Sequence, residues 1–308
     1  MRPIPPARVA APALPAVPAA ASRADERLRG ILLIVGATML FSTSDVTAKY
    51  ITQRLPVIEV AWVRYLVFVL AALAPAARRP LAELLGTRRP AQQAARGLAV
   101  VLSALLFLLG LRVLPMADAA AINFVSPLLI TALAVPLLGE TVAPRRWAAL
   151  GVGLFGAVLA AGPGTAAFQP GALFPLLSAL AWAFAMVLTR GFAATERPAT
   201  TLVWTACSGL LLLSVLLPFD ARVPTPTELA FCVLIGVVAS GGQFLVVLAY
   251  RSAPASLLAP FSYVQLIWST LAGYLVFGAV PGTATLAGAA IIAGSGLYSA
   301  ASERARAA

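Results

Sequence analysis

The sequence has no histidine and few charged residues, and each shortage excludes a class of protein. Charged residues make up 11% of the 308 residues, whereas a soluble domain normally contains about 25%. So few charges cannot cover a water-exposed surface, but lipid requires apolar side chains instead. The absence of histidine excludes Ser-His-Asp catalysis, histidine proton relays and histidine metal sites.

Several chemical motifs are missing as well. The two cysteines, Cys207 and Cys232, both lie in apolar segments, and we interpret them as packing residues rather than as a disulfide or metal pair. No GxxxxGK[ST] motif occurs, which excludes ATP-driven transport by this chain alone. The acidic residues form no cluster of the kind that a membrane-embedded enzyme needs. We therefore predict no metal ion, no cofactor and no enzymatic activity.

Long apolar runs dominate what is present. Hydrophobic residues make up 61% of the chain, and after Gly30 they form runs separated by short polar or Pro/Gly breaks. A transmembrane helix needs roughly 20 such residues. The sequence therefore predicts an all-α integral membrane protein of about ten transmembrane helices, near residues 31–51, 57–75, 95–113, 117–138, 144–161, 171–190, 200–218, 228–249, 255–277 and 284–301.

The distribution of basic residues predicts the orientation of these helices. If the N-terminus is cytoplasmic, most of the 22 Lys and Arg residues fall in inside segments, as the positive-inside rule requires. Both termini are then cytoplasmic, the protein is multi-pass in a bacterial inner membrane, and the number of spans is even. The net charge of +11 is attributed to loops beside anionic lipid, so no nucleic-acid partner is predicted.

The two ends of the chain are predicted to lie outside the membrane. Residues 1–29 are rich in Ala, Pro and Arg, and this density of proline disfavours a continuous helix. They are predicted to form a disordered cytoplasmic tail. Residues 302–308 are predicted to form a second, short cytoplasmic tail.

The chain also repeats itself. Residues 110–139 align without a gap on residues 249–278 at an offset of 139, and residues 30–49 align on 171–190 at an offset of 141. We therefore predict two repeats of five helices, 30–162 and 170–301. Because five is odd, the second repeat is inverted in the membrane. Inverted repeats are typical of secondary transporters, with the site near mid-membrane, although duplication in a purely structural membrane protein would give the same pattern.

Ionisable residues within spans indicate a function, because each costs about 2.5–3.5 kcal/mol on insertion scales. Asp45 and Lys49 are four residues apart, on one helical face and close enough to pair. Thr38 and Ser42 extend this polar stripe, which we expect to face the bundle interior or a cavity. The stripe either lines the transport path, with Asp45 coupling transport to protons, or forms a self-neutralising pair that fixes helix packing.

Two further charges have more ordinary explanations. Arg64 could hold an anionic group of a solute, but we favour a role in bracing the adjoining loop. Asp118 follows Pro115 at the start of span four, where an acidic residue suits the helix dipole and can cap the helix. Proton coupling through Asp118 is the alternative.

A central pocket is predicted from polar and aromatic residues within the spans. Aromatic and amide groups can stack on and orient a flat or zwitterionic solute, although Trp and Tyr also anchor helices at membrane interfaces. The candidates for the transport path are Ser42, Asp45, Lys49, Arg64, Asn123, Trp182, Gln243, Ser262, Tyr263 and Gln265. Rows of Gly, Ala and Ser in spans five and ten are interpreted instead as packing faces of a scaffold or of a homodimer.

Three stretches carry a resemblance to a known family: FSTSDVTAKYITQRLPVIEVAWVRY (41–65), NFVSPLLITALAVPLLGETVAPRRWAALGVGLFGAVLAAGPG (123–164) and APFSYVQLIWSTLAGYLVFGAVPGTATLAGAAIIAGSGLY (259–298). They resemble the drug/metabolite transporter superfamily, specifically the EamA-type ten-helix transporters. Within it, the Asp45/Lys49 spacing and LPVIEVAWVRY look most like riboflavin-type importers. The chain departs from the family after Gly278, where Ala279 replaces the usual acidic residue, whereas the first repeat keeps Glu140 after Gly139.

These observations predict a secondary transporter that moves a small organic metabolite across the inner membrane by alternating access. The resemblance narrows this to riboflavin-like uptake, with export of amino acids or drugs as the alternative. From other classes, an integral-membrane enzyme and a structural membrane protein are both disfavoured. The predicted partners are the small-molecule solute, the lipid bilayer and a second copy of the chain.

Overall fold

The computed structural model describes residues 20–74, 80–139, 144–161, 170–192, 195–219, 222–252, 258 and 261–307, and within these ranges it contains helices and no strand. The all-α prediction is therefore confirmed. The α-helices with defined bounds are numbered here in chain order: α1 Ala20–Thr52, α2 Val57–Leu73, α3 Leu81–Leu85, α4 Pro90–Val113, α5 Met116–Asn123, α6 Ser126–Leu138, α7 Pro144–Ala161, α8 Leu173–Phe192, α9 Pro198–Leu216, α10 Pro226–Ser252, α11 Val264–Phe277 and α12 Thr283–Ala307.

The helices match the predicted spans in position. Among the described residues, six helices are long and apolar enough to cross a membrane: Asp25–Thr52, Pro90–Val113, Met116–Leu138, Pro170–Thr189, Ala199–Phe219 and Pro226–Val246. Three shorter apolar helices, Trp147–Ala160, Val264–Phe277 and Thr283–Tyr298, occupy spans five, nine and ten, and α2 occupies span two. Residues 255–257 and 259–260 of the ninth predicted span lie outside the described residues. The chain is a multi-pass membrane protein.

The first and last helices extend into the segments that were predicted to be tails. The last proline of the N-terminal region is Pro18, and α1 begins at Ala20. Residues 20–29, predicted to belong to the tail, are therefore helical, as their Ala, Glu and Arg residues favour. Residues 1–19 lie outside the described residues. Similarly, α12 continues to Ala307, so the predicted C-terminal tail is helical over 302–307.

The fourth predicted span is broken near its middle. Helix α5 ends at Asn123 and α6 begins at Ser126, because Pro127 has no N–H to donate to the carbonyl of Asn123. The ninth span changes direction at the equivalent place: Tyr263, which is 139 residues after Phe124, forms a turn immediately before α11. The two repeats thus share a break at equivalent positions.

The same two segments also end alike. Gly139 follows α6 with φ 69° and Gly278 follows α11 with φ 64°, a left-handed conformation that glycine adopts without steric cost. The repeat that is visible in the sequence is therefore reproduced in the backbone.

Helix packing follows a pseudo-twofold pattern that interlocks the repeats. Helix α1 packs along α10 as α8 packs along α4, and α2 contacts α10 as α9 contacts α4. Equivalent glycines permit the last two contacts. A Cβ on Gly97 would lie 2.8 Å from the Cβ of Ser208 on α9, and one on Gly236 would lie 2.6 Å from the Cβ of Val67 on α2.

This pattern divides the bundle into two bodies, each built from both repeats. The first body comprises α1, α2, α10 and α11, and the second comprises α4, α5, α6, α8 and α9. The bodies join mainly through α2 and α9, whereas α1 has far less contact with α4 than with α10. The interface of α1 with α4 is therefore a seam between the bodies.

Helices α7 and α12 form a separate pair. The carbonyl oxygen of Gly156 would lie 2.5 Å from a Cβ on Gly288, and the hydroxyl of Ser295 would lie 2.8 Å from a Cβ on Gly153. The small-residue rows of spans five and ten thus pack on each other within one chain, which confirms their scaffold interpretation. The homodimer stays a prediction.

Candidate functional site

Asp45 lies at the centre of a buried polar contact between α1 and α11. Its side chain is 8% exposed, and the Nε2 of Gln265 donates a hydrogen bond to its Oδ2 at 3.3 Å. Close by, the hydroxyls of Ser42 and Ser269 are 3.3 Å apart. Both pairs join the two repeats within the first body.

The polar stripe on α1 faces the protein interior, as predicted. Thr38 and Ser42 are each 3% exposed. Thr38 donates to the carbonyl of Val35 in its own helix at 2.7 Å, so its hydroxyl is satisfied locally. Ser42 and Asp45 instead reach across to α11, and they form the part of the stripe that is available for chemistry.

Lys49 does not pair with Asp45, and that prediction is wrong. The Lys49 ammonium donates to the carbonyl of Leu111 at 2.7 Å and to the carbonyl of Leu114 at 2.5 Å. These carbonyls lie at the C-terminus of α4, where the chain continues with Pro115, which has no N–H. Asp45 therefore has no basic hydrogen-bonding partner among the described residues.

Arg64 is half-buried on α2, in the same body as Asp45. Its positive charge acts on the Asp45 carboxylate, but no ion pair forms between them in the described part of the chain. Nor does any hydrogen bond from Arg64 brace a loop within those residues. Arg64 is therefore a positive charge near Asp45 with no ion pair among the residues that the structure describes.

Asp118 does not cap its helix. No side-chain hydrogen bond caps the N-terminus of α5 among the described residues, although Asp118 lies in its first turn, where the helix-dipole interpretation predicted an acidic residue. Instead, the Oδ1 of Asp118 accepts a hydrogen bond from Thr285 on α12 at 2.7 Å. This bond joins the second body to the α7–α12 pair near the end of the bundle where Lys49 lies.

A second polar cluster lies within the second body. The Nδ2 of Asn123 donates to Ser178 Oγ at 2.9 Å and to the carbonyl of Pro175 at 3.2 Å. Ser178 in turn donates to the carbonyl of Ser103 at 2.8 Å. Asn123 was predicted, but the two serines were missed, because single serines in apolar spans give no periodic signal. The repeat equivalent of Asn123 is Ser262, which is half-buried.

An aromatic pair joins the two bodies where both broken helices change direction. The rings of Phe124 and Tyr263 have centroids 5.6 Å apart at an interplanar angle of 41°. The hydroxyl of Tyr263 and the indole Nε1 of Trp268 are buried and lack hydrogen-bond partners in the described part of the chain. Phe124 was missed, because a phenylalanine in an apolar run looks like any other core residue. The pair combines aromatic surface with the unsatisfied Tyr263 hydroxyl.

Two predicted residues remain outside these clusters. Trp182 on α8 and Gln243 on α10 are half-buried, but no hydrogen bond among the described residues joins either of them to Asp45, Asn123 or their partners. The structure thus brings together Ser42, Asp45, Ser269 and Gln265, with Tyr263 immediately before α11.

Arg96 is a buried charge that the sequence did not reveal. It lies in α4, at the start of the third predicted span, and is 9% exposed. The Arg96 Nε donates to the hydroxyl of Thr189 at 2.9 Å, and its Nη1 donates to the hydroxyl of Thr205. Arg96 therefore ties α4 to α8 and α9 and stabilises the second body.

Known proteins match this chain over nearly its whole length. A riboflavin transporter of Rhizobium johnstonii is 32% identical over 279 residues, covering 87% of this chain and 90% of that protein. An S-adenosylmethionine uptake transporter of Rickettsia prowazekii is 30% identical over 272 residues, covering 88% and 92%. A crystal structure shares the fold with a TM-score of 0.63 at 22% identity, covering 90% of this chain and 97% of that one.

The family assignment follows from both halves of the chain. Residues 28–162 and 169–299 each match the EamA-like transporter family, which agrees with the paired breaks and interlocked packing described above. A member of this family has a small-molecule solute and functions as a transporter, not as an enzyme. The chain belongs to the EamA-like transporter family of the drug/metabolite transporter superfamily.

Proposed function

We propose that this protein is a secondary transporter that imports a ring-bearing metabolite across the bacterial inner membrane, with riboflavin as the first candidate. The observations that carry the proposal are a buried acid–amide pair, Asp45 and Gln265, and, two residues before Gln265, Tyr263, whose ring contacts Phe124 between the two bodies. Such a place can stack on a flat ring and hydrogen-bond its polar edge.

The two repeats contribute unequal chemistry to this place. At offsets of 141 and 139, the repeat equivalents of Asp45 and Gln265 are Met186 and Ser126, so of these equivalent positions only the one in the first body is acidic. The Asn123–Ser178 contact of the second body is neutral. An elongated solute with one hydrogen-bond-donating or cationic end and one neutral polar end complements this arrangement.

A second candidate follows from the same acid. The carboxylate of Asp45 has no basic hydrogen-bonding partner among the described residues, so a cationic solute would supply one. S-Adenosylmethionine combines a planar adenine with a sulfonium charge, and relatives 30% identical to this chain are named for its uptake. Riboflavin offers a larger ring and no charge at neutral pH. The charge at Asp45 therefore distinguishes the two candidates.

The arrangement of the bodies supports transport by alternating access. Each body contains helices of both repeats, and the aromatic pair lies between them where α5 and α11 are interrupted. Rocking of one body against the other would expose this place first to one side of the membrane and then to the other. The distribution of basic residues supports cytoplasmic termini, with the end of α1 at Lys49 facing outside.

Uptake in whole cells tests the proposal. Bacteria that neither make nor import riboflavin, carrying this protein or an empty vector, are given labelled riboflavin, and parallel cells are given labelled S-adenosylmethionine. We expect uptake of one of them above the empty vector. Uptake of neither by well-expressed protein would contradict the import proposal, and efflux of amino acids and drugs would then be measured.

The aromatic pair gives a graded prediction. Tyr263→Phe keeps the ring and removes the unpartnered hydroxyl, whereas Tyr263→Leu removes the stacking surface. Stacking of a base on an aromatic side chain is worth about 1–3 kcal/mol, so the leucine variant should raise the KM for uptake by about tenfold or more, and the phenylalanine variant should raise it much less. Equal KM values for both variants, at equal membrane abundance, would remove Tyr263 from the solute path.

A further inference from the structure

The C-terminus of α4 leaves backbone carbonyls without helical partners. The carbonyl of Leu111 would normally accept from the residue four positions later, but that residue is Pro115, which has no N–H. The carbonyls of Arg112 and Leu114 also lie at the C-terminus of α4, where no further N–H of the helix follows to bond them. Leu111 and Leu114 are buried, at 0% and 5% exposure, so water cannot easily satisfy them.

Two side chains at the C-terminal end of α1 cap these carbonyls. Lys49 donates to Leu111 at 2.7 Å and to Leu114 at 2.5 Å. Gln53, in the turn that follows Thr52, donates through Nε2 to the carbonyl of Arg112 at 3.0 Å. A cation at a helix C-terminus also interacts favourably with the helix dipole. The cap is therefore a charge-assisted contact at the least solvated part of this helix end.

The cap crosses the seam between the two bodies. Lys49 and Gln53 belong to the first body, and the carbonyls they bind belong to the second. Little else holds α1 to α4, because most of the surface of α1 packs on α10 and α11. Lys49 also lies over the ring of Phe277 at 5.6 Å from its centroid, and Phe277 is the last residue of α11. Lys49 thus joins three helix ends at one side of the membrane.

We propose that Lys49, supported by Gln53, is a latch that closes the outer end of the seam between the bodies and must release the α4 carbonyls before the central site opens to the outside. The residues of the site lie deeper on the same face of α1: Asp45 is one turn below Lys49, and Ser42 is about two turns below. The proposal rests on the alternating access proposed above.

Asp118 provides an acceptor for the released ammonium. Its negative charge acts on Lys49, and its carboxylate is bound only by the neutral hydroxyl of Thr285 in the described part of the chain. An ammonium that leaves the carbonyls can therefore exchange backbone acceptors for a carboxylate. This exchange limits the cost of opening, because the half-buried ammonium that leaves the two carbonyls gains a charged acceptor.

Cysteine accessibility tests the latch without any substrate. Cys207 and Cys232 are replaced by alanine, and Ser42, which is 3% exposed, is replaced by cysteine as the reporter. A membrane-impermeant maleimide is applied to spheroplasts and, separately, to inverted vesicles. Lys49→Met should raise the ratio of outside to inside labelling at position 42 by about tenfold or more, as expected for the loss of charge-assisted hydrogen bonds. Gln53→Leu should raise it less.

The controls separate opening from unfolding and the latch from transport. Arg112→Met removes one exposed positive charge from the same membrane face, while its backbone carbonyl stays capped, so the ratio should not change. Arg54→Cys, exposed at the end of α1, identifies the outer face. A misfolded variant would raise labelling from both sides. An unchanged ratio of outside to inside labelling in Lys49→Met would overturn the latch even if uptake is observed. A raised ratio without uptake of any solute would support the latch and contradict only the substrate proposal.

Discussion

Asp45→Asn should lower net uptake at least about 30-fold while leaving the abundance of the protein in the membrane unchanged. The loss corresponds to about 2 kcal/mol, the usual worth of a hydrogen bond to a charged group. Asparagine preserves the volume and can still interact with the Gln265 amide, which now donates to Asp45 at 3.3 Å, so folding should survive. The measurement is the initial rate of labelled solute entry, normalised to membrane abundance.

Counterflow shows which role Asp45 has. If its carboxylate binds the solute, exchange of labelled for unlabelled solute should fall together with net uptake. If Asp45 only carries a proton, exchange should persist and the dependence of uptake on the proton gradient should disappear. Asp25→Asn is the matched control, because that carboxylate lies on the same helix as Asp45 but is exposed, outside the central cluster. Unchanged net uptake in Asp45→Asn would remove Asp45 from the mechanism.

Gly288→Ala should produce the largest loss of folded protein. The added Cβ would lie 2.5 Å from the carbonyl oxygen of Gly156 and 2.8 Å from both the Cβ and the backbone nitrogen of Ala160. Backbone atoms of a packed helix cannot move aside as a side chain can, so α7 and α12 must separate. Overpacking typically costs about 1–3 kcal/mol, and the loss of small-residue contacts in lipid adds to it. The measurement is the thermal midpoint in detergent, followed by size-exclusion chromatography.

Gly294→Ala supplies the comparison on the same helix. No atom lies within 4 Å of a Cβ built on Gly294, and alanine stabilises a helix interior relative to glycine by about 1 kcal/mol. This variant should therefore melt at the same temperature as the wild type or higher. Equal destabilisation by both substitutions would mean that the α7–α12 contact is not specific.

Some features of the site were predictable, and the reason lies in periodicity. The burial of Ser42 and Asp45 followed from their spacing on one helical face, because a polar stripe cannot face hydrocarbon. Gln265 and Tyr263 were predicted because polar and aromatic residues inside an apolar span are conspicuous. Phe124 was not predicted, because its role depends on a contact with Tyr263 across the bundle. Nothing in the sequence indicates that contact.

The partners of the charged residues were the main errors. Asp45 and Lys49 are correctly spaced to pair, yet Lys49 binds carbonyls of α4. Backbone acceptors carry no residue signature, and Pro115, which leaves the Leu111 carbonyl unsatisfied, is 66 positions from Lys49. The same applies to Asp118, whose hydroxyl partner Thr285 lies on α12.

The sequence by itself determined that this is an all-α membrane protein of two homologous repeats, because hydrophobic length, proline position and internal similarity are local or linear properties. Only the tertiary structure decided that each body combines helices of both repeats, that α7 and α12 pack as a pair, and that Lys49 caps α4. Those outcomes depend on which surfaces meet in three dimensions. Contacts between helices far apart in the chain depend on the shapes of the helix surfaces and on unsatisfied backbone groups. Neither property can be predicted from the order of the residues.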